Sequence, residues 1–483
     1  MQKLRIANKD KRRALSMALS MFALSGCALI LLYVMGLGTL LKFAYPGLAG
    51  LIGLWLYASR PVLYVGYTLW TWFLTPFVRR VVDYGIGVYD GKNLVMLAPY
   101  VVTGIAAITI LRKGKRLTNR TYLPLLLALA GVVYGYLIGL ARVGIMAATM
   151  GFIEWLPPIL FGAHLLLSWR SYPALRDIIR STFIWGVLLM GTYTLFQYIA
   201  APPWDMFWLD QSGMELSMGD PEPGQFRVFG TLNSTGPFAK TMMAGLLLLF
   251  ETGGALSYLS AGPGYVSLLL SNVRAAWGGW FVGVGCLALR VQGTLRKRLV
   301  ALLVVATLLG IPLFLYTPNT ERVVNRAETL TEIQKDGSFR ARVAIHIRAA
   351  PHILTSPIGR GVGAFGTGAK FNKNITGFMD SGFLEVPLTL GWVGTLLYGG
   401  GLGWMLLRIY RIRPADVDSF AVVASSIVVS YMSLMLFNIQ LLGLSGTITW
   451  SLAVLAFGSR LYHNQQKTVS AANVQRPTRT IQQ

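Results

Sequence analysis

Arginine supplies most of the chemistry available to this chain. Residues 317–381 form a polar stretch between apolar ones and hold six arginines and two of the four histidines. Ser338 can cap a helix running to Leu354, with Pro351 expected to end or kink it. Along that helix Arg342 and His346 are four apart and share a face, Arg348 and His352 share another, and Arg340 stands near the start. A guanidinium fork matches phosphate oxygens, so this pattern suits a phosphate-bearing ligand. A solvated basic surface helix is the plainer alternative. Pro357-Ile-Gly-Arg-Gly-Val-Gly363 follows, where glycines around Arg360 allow a tight turn and a close backbone approach to a ligand, or simply a flexible connector. In Met379-Asp-Ser-Gly-Phe-Leu-Glu385 the chain returns to apolar sequence, and Asp380 is either a partnered structural carboxylate or a base for an incoming hydroxyl.

Two other segments carry arginine at the same kind of boundary. Gly224-Gln-Phe-Arg-Val-Phe-Gly-Thr-Leu-Asn-Ser-Thr-Gly-Pro-Phe-Ala239 holds Arg227 and Asn233, and Ser271-Asn-Val-Arg-Ala-Ala-Trp277 holds Arg274. Arg274 is an anion ligand facing the bundle or an arginine that snorkels to the interface. The chain has no P-loop, no GxSxG, no HExxH and no Cys/His metal pattern. Asp205, Asp210, Asp220 and Glu222 form no DxD pair, which disfavours a metal-dependent transferase using nucleotide sugars.

The elements that must position these residues are membrane helices. The 483-residue chain is 54% hydrophobic and only 13% charged, about half the charge content of soluble domains. Uncharged runs repeat at bilayer-crossing length. The expected fold is an all-α polytopic membrane protein of about 12–14 spans with one large outer loop containing helices. The run after Lys9-Asp-Lys-Arg-Arg13 reads as a retained signal anchor rather than a cleaved signal peptide. Cys27 and Cys286 both fall in apolar runs and imply no disulfide framework. The expected divisions are an N-terminal membrane half (1–236), central helices (237–316), the outer loop (317–381), C-terminal helices (382–460) and a disordered tail (461–483). Lys and Arg concentrate in alternate loops, which places both termini inside and residues 317–381 outside. The pair Arg79-Arg80 falls on the outer side and counts against that scheme. The net charge of +24 is scattered over loops, so anionic lipid, an anionic substrate and topology explain it better than nucleic acid.

In this order, the Arg-Val-Phe-Gly-Thr-Leu-Asn segment, the Ser-x-x-Arg-Ala boundary, the Ser-x-x-x-Arg helix before Pro-x-x-Gly-x-Gly, and the re-entry segment before Gly391-Trp-Val-Gly394 resemble the O-antigen ligase/polymerase superfamily (Wzy-like polymerases and O-antigen ligases) over about residues 225–405. Pro76-Phe-Val-Arg-Arg-Val-Val-Asp83 is similar to exopolysaccharide members. The resemblance implies a GT-C-like architecture in a bacterial inner membrane. It implies an inverting glycosyl transfer from undecaprenyl pyrophosphate at the outer face, without metal or cofactor. Arg274 and Arg342 match the positions that bind pyrophosphate. Ligases usually carry His-Asn where this chain has Asp380-Ser381, and His346 stands where members often have an aromatic residue.

The residues suit that class of reaction. Arginines can stabilise a leaving pyrophosphate, and a carboxylate in a partly dry site can take a hydroxyl proton. A polysaccharide polymerase joining lipid-linked repeat units is the leading expectation. Its partners would be lipid-linked oligosaccharide, membrane lipid, and a chain-length regulator (polysaccharide co-polymerase) and flippase. Ligation to lipid A-core is the first alternative. A lipid-linked oligosaccharide flippase is the second, and the nearly charge-free spans argue against it.

Overall fold

The computed structural model describes residues 36, 38–291, 337–371, 379 and 381–474, together with scattered positions between 293 and 308. Side chains are described for all of these except 337–339, 341, 342, 350 and 471–474. The signal-anchor run, Cys27, Asp380 and the end of the chain lie outside them.

Helices dominate the described residues, and their only β-pairing is an isolated bridge between Gly219 and Phe226. The long helices are α1 (Gly38–Ser59), α2 (Pro61–Ile86), α5 (Leu123–Arg142), α6 (Ile145–Leu167) and α7 (Tyr172–Ala200). Between α2 and α5 lie the short α3 (Ala98–Gly104) and α4 (Ala107–Lys113). The short α8 (Pro203–Gln211) and α9 (Glu215–Met218) precede α10 (Thr235–Leu249), α11 (Ala255–Leu270) and α12 (Arg274–Ala288). Then come α13 (Gly337–Thr355), α14 (Gly382–Tyr410), α15 (Ser419–Ser433) and α16 (Gly443–Val474). Among the described residues seven helical stretches are long and apolar enough to cross a membrane, so this is an all-α, multi-pass membrane protein. The expected central helices (237–316) open with α10, α11 and α12, which have only 15, 16 and 15 residues, shorter than the ~20 of a full crossing.

Packing is close because small residues face neighbouring backbones. Gly131, Gly135 and Gly139 line one face of α5. A Cβ on Gly131 would lie 2.7 Å from the Gly394 carbonyl oxygen of α14, and one on Gly139 would lie 2.3 Å from that of Val362.

Successive helices place their ends alternately at two ends of the bundle. One end is tied by ion pairs and by arginines on carbonyls. Arg176 meets Asp418 at 2.9 Å, Arg180 meets Glu251 at 3.5 Å, and Arg408 donates to the Thr121 carbonyl at 2.8 Å. The other end gathers the turn after α2, the 201–234 segment, the turn before α12, the loop after α13 and the start of α14.

The expected tail boundary at 461 is too early. Helix α16 continues to Val474. No Gly or Pro interrupts residues 461–474, so the helical register carries on into water, where Lys467 pairs with Asp416 at 2.9 Å.

Candidate functional site

At the second end, a buried arginine fixes the segment that leads into α10. Arg80 is completely buried. Its Nε donates to Asp205 Oδ1 at 2.7 Å and its Nη2 to the Gly230 carbonyl at 2.6 Å. Its Nη1 reaches the Leu232 carbonyl. Asp205 also accepts from Tyr193 Oη at 2.7 Å and Gln197 Nε2 at 2.6 Å, while Gln197 Oε1 accepts from the Phe229 and Gly230 amides at 3.2 and 2.9 Å. Every polar group of this ion pair is engaged, as burial of charge requires. Arg79 bonds Asp83 at 3.2 Å and the Asp90 carbonyl at 2.7 Å. Both arginines are therefore neutralised inside the protein, and the pair carries no weight in a count of solvated loop charges.

The fixed segment holds Arg227, whose guanidinium lies on three carbonyls: Ser271 at 3.1 Å, Asn272 at 3.0 Å and Ser217 at 3.3 Å. Asn272 has a positive φ of 52°, which turns the chain sharply before α12 begins at Arg274. Arg227 thus clamps the turn that presents Arg274, itself half-buried at the first position of its helix. Asn233 is drawn inward: its amide oxygen accepts from Arg80 at 3.3 Å or, with the amide turned over, from Arg79 at 3.3 Å.

The glycine loop differs from its expected role of close approach to a ligand, because its backbone approaches protein. Gly359, Gly361 and Gly363 have φ of 82°, 91° and 96°. A Cβ on them would lie 2.3 Å from Gly391 N, 2.4 Å from Gly139 Cα and 2.3 Å from the Ala147 carbonyl oxygen. The reason is a break in α14 at Gly391 (φ 63°, ψ −171°). The break frees backbone groups that an apolar setting cannot leave unpaired. The amides of Arg360 and Gly361 donate to the Leu388 and Thr389 carbonyls at 2.7 and 2.9 Å, and the Trp392 amide donates to the Pro357 carbonyl at 2.8 Å. The Arg360 side chain stays exposed, with its guanidinium 5.7 Å from the centre of the Phe365 ring.

Helix α13 begins and ends within a residue of expectation, and Pro351 is contained within it. Arg340 and Arg348 are exposed, and His346 is half-buried. Val343, Ile347 and Leu354 form an exposed apolar stripe beside them, while Ile345, Ala349 and Ile353 pack on Leu384, Leu388 and Phe365. The Arg342 side chain and Asp380 lie outside the described residues. The structure thus joins Arg227 to the Arg274 turn and Asn233 to the Arg79–Arg80 pair. Arg340, Arg348 and Arg360 are separately exposed.

Two acids escaped the sequence reading. Glu385, one turn into α14, is only 5% exposed. Glu154, on α6, accepts from the Thr367 amide at 3.2 Å and from Thr367 Oγ1. A signal existed for the first, since Ser381, Glu385 and Thr389 recur every four residues along an apolar helix.

Residues 259–399 match the family model described as O-antigen ligase. That match runs from α11 through Arg274 and α13 to the break in α14, and over it the chain carries a domain of the O-antigen ligase/polymerase superfamily. The general activity that follows is that of a glycan-handling, glycosyltransferase-like membrane protein. No curated protein matches the chain.

Proposed function

We propose that this membrane protein is a polysaccharide polymerase of the bacterial inner membrane. It transfers glycan from an undecaprenyl-pyrophosphate-linked donor to a lipid-linked repeat unit at the outer face, with both termini in the cytoplasm. The observation that carries this reading is the family match over residues 259–399, which includes both the clamped turn presenting Arg274 and the basic helix α13. Arg274 and Arg342 bind the pyrophosphate and stabilise the charge that develops on it as the anomeric C–O bond breaks. Asp380 takes the proton of the attacking hydroxyl. Attack opposite the leaving group inverts the anomeric centre.

The test is transfer by the purified chain in proteoliposomes supplied with lipid-linked repeat units. A ladder of longer lipid-linked glycans is expected, and Arg274→Ala and Arg342→Ala should each remove it. An undiminished ladder from either variant, or polymer of normal length in a deletion strain, would sink the reading. The description of the matched family favours a second reading, ligation to lipid A-core. Asp380-Ser381 in place of His-Asn weighs against it. Mass spectrometry of lipopolysaccharide from the deletion strain separates the two: loss of glycan from a core-linked chain supports ligation.

A further inference from the structure

Helix α14 carries a polar face that its apolar surroundings do not account for. Ser381, Glu385 and Thr389 are spaced i, i+4, i+8 and are 0%, 5% and 2% exposed. Among the described residues the hydroxyls of Ser381 and Thr389 have no hydrogen-bond partner. Among the described residues Glu385 accepts no hydrogen bond and joins no ion pair. Buried polar groups are rarely left unsatisfied, and an ionisable side chain in a membrane helix marks a functional site by default.

A second acid lies in electrostatic range of this face. Glu154 of α6 lies close enough to Glu385 for their charges to interact, and Thr367 fixes its orientation. Tyr100 and Lys370 are also within electrostatic range of Glu154.

The chemistry selects a ligand class. Carboxyl groups accept hydrogen bonds and give an anion no counter-charge, whereas serine and threonine hydroxyls both donate and accept. A sugar hydroxyl also donates and accepts. The site therefore suits the neutral, hydroxyl-rich part of a substrate, not its pyrophosphate, which belongs with the arginines.

We propose that Ser381, at the N-cap of α14, together with Glu385 and Thr389 within it, forms a subsite that binds hydroxyl groups of the acceptor glycan. The role in transfer rests on the polymerase reading above. Glu385 is a binding residue here, accepting hydrogen bonds from sugar hydroxyls while the transferred proton goes elsewhere.

The test uses the full chain in lipid nanodiscs, with acceptor varied at saturating donor and donor varied at saturating acceptor. Glu385→Gln keeps the shape and replaces one acceptor oxygen with an NH2 donor. It should raise the acceptor KM about tenfold, the loss expected for one good hydrogen bond, and leave the donor KM within twofold. Thr389→Val and Ser381→Ala should each raise the acceptor KM roughly threefold. Equal acceptor KM values in Glu385→Gln and the parent chain overturn the subsite. So does a change confined to the melting temperature. Thr389→Val is the second arm, which keeps the test decisive if Glu385→Gln does not fold, and an unchanged acceptor KM in a folded Thr389→Val also counts against the subsite. Binding of the free repeat-unit oligosaccharide, measured by saturation-transfer NMR, separates the two readings. Binding that Glu385→Gln abolishes, in a chain that transfers no glycan, keeps the subsite and removes the polymerase. Transfer with equal acceptor KM values keeps the polymerase and removes the subsite.

Discussion

Arg80 and Arg348 are the same residue type at the same end of the molecule, and they live in opposite environments. The Arg80 guanidinium is wholly enclosed and spends its donors on Asp205, Gly230 and Leu232. Arg348 stands exposed on α13 beside an apolar stripe. The first belongs to the machinery that holds the 227–233 segment and, through Arg227, the turn before Arg274. The second is available to a ligand or a lipid headgroup. A buried, satisfied arginine builds a site, whereas an exposed one serves it.

The sharpest break of that contrast is Asp205→Ala. It leaves Arg80 charged and uncompensated in the interior and should cost about 3–5 kcal/mol, read as a large drop in melting temperature in detergent. Arg348→Ala should stay within about 0.5 kcal/mol of the parent chain, and equal losses would erase the distinction. Gly361→Ala comes next. Its Cβ would meet the Gly139 backbone and its φ of 91° is unfavourable for a side chain, so thermal unfolding should report a loss of roughly 2–4 kcal/mol. Arg227→Ala should act mainly on transfer, lowering the rate at subsaturating donor about tenfold through a misplaced Arg274, with a smaller shift in melting temperature. Arg227→Lys should recover only part of the rate, because one ammonium cannot span three carbonyls. The combined Arg340→Ala and Arg348→Ala change should raise the donor KM by about 2–5-fold at low salt and less at high salt, as expected for screened surface charges.

The smallest effect is expected at Asp90. Partial burial pushes its carboxyl up, but the Lys92 amide and the Lys42 ammonium outweigh that and hold it below the usual carboxylate range. A depressed folded value stabilises the protein above the unfolded value of about 3.9, and the contribution disappears as pH falls through the folded value. Asp90→Asn should therefore lower the melting temperature slightly at pH 7, with the difference shrinking in acid.

Much of the frame was legible in the residues. Apolar run lengths gave the helices, and Ser338 to Leu354 gave α13 nearly to the residue. The role of Pro357–Gly363 was not legible, because nothing local says that Gly391, some thirty residues on, breaks a helix whose carbonyls the loop amides must satisfy. Arg80 looked like misplaced loop charge for the same reason: its partners, Asp205 and the carbonyls of 230 and 232, lie far along the chain. Glu385 was overlooked because an acid in the first turn of a helix is ordinary, and only burial makes it unusual.

The seam between the glycine loop and α14 also has a mechanical meaning. Separating them would expose amide and carbonyl groups to hydrocarbon, so the two segments translate together. The Trp392 indole, which donates to the Ile353 carbonyl at 2.9 Å, pins the C-terminal end of α13 to the same body. Ile345 and Ala349 pack into the cluster that holds Leu384 and Leu388, so α13 is tied to the same body at more than its C-terminal end.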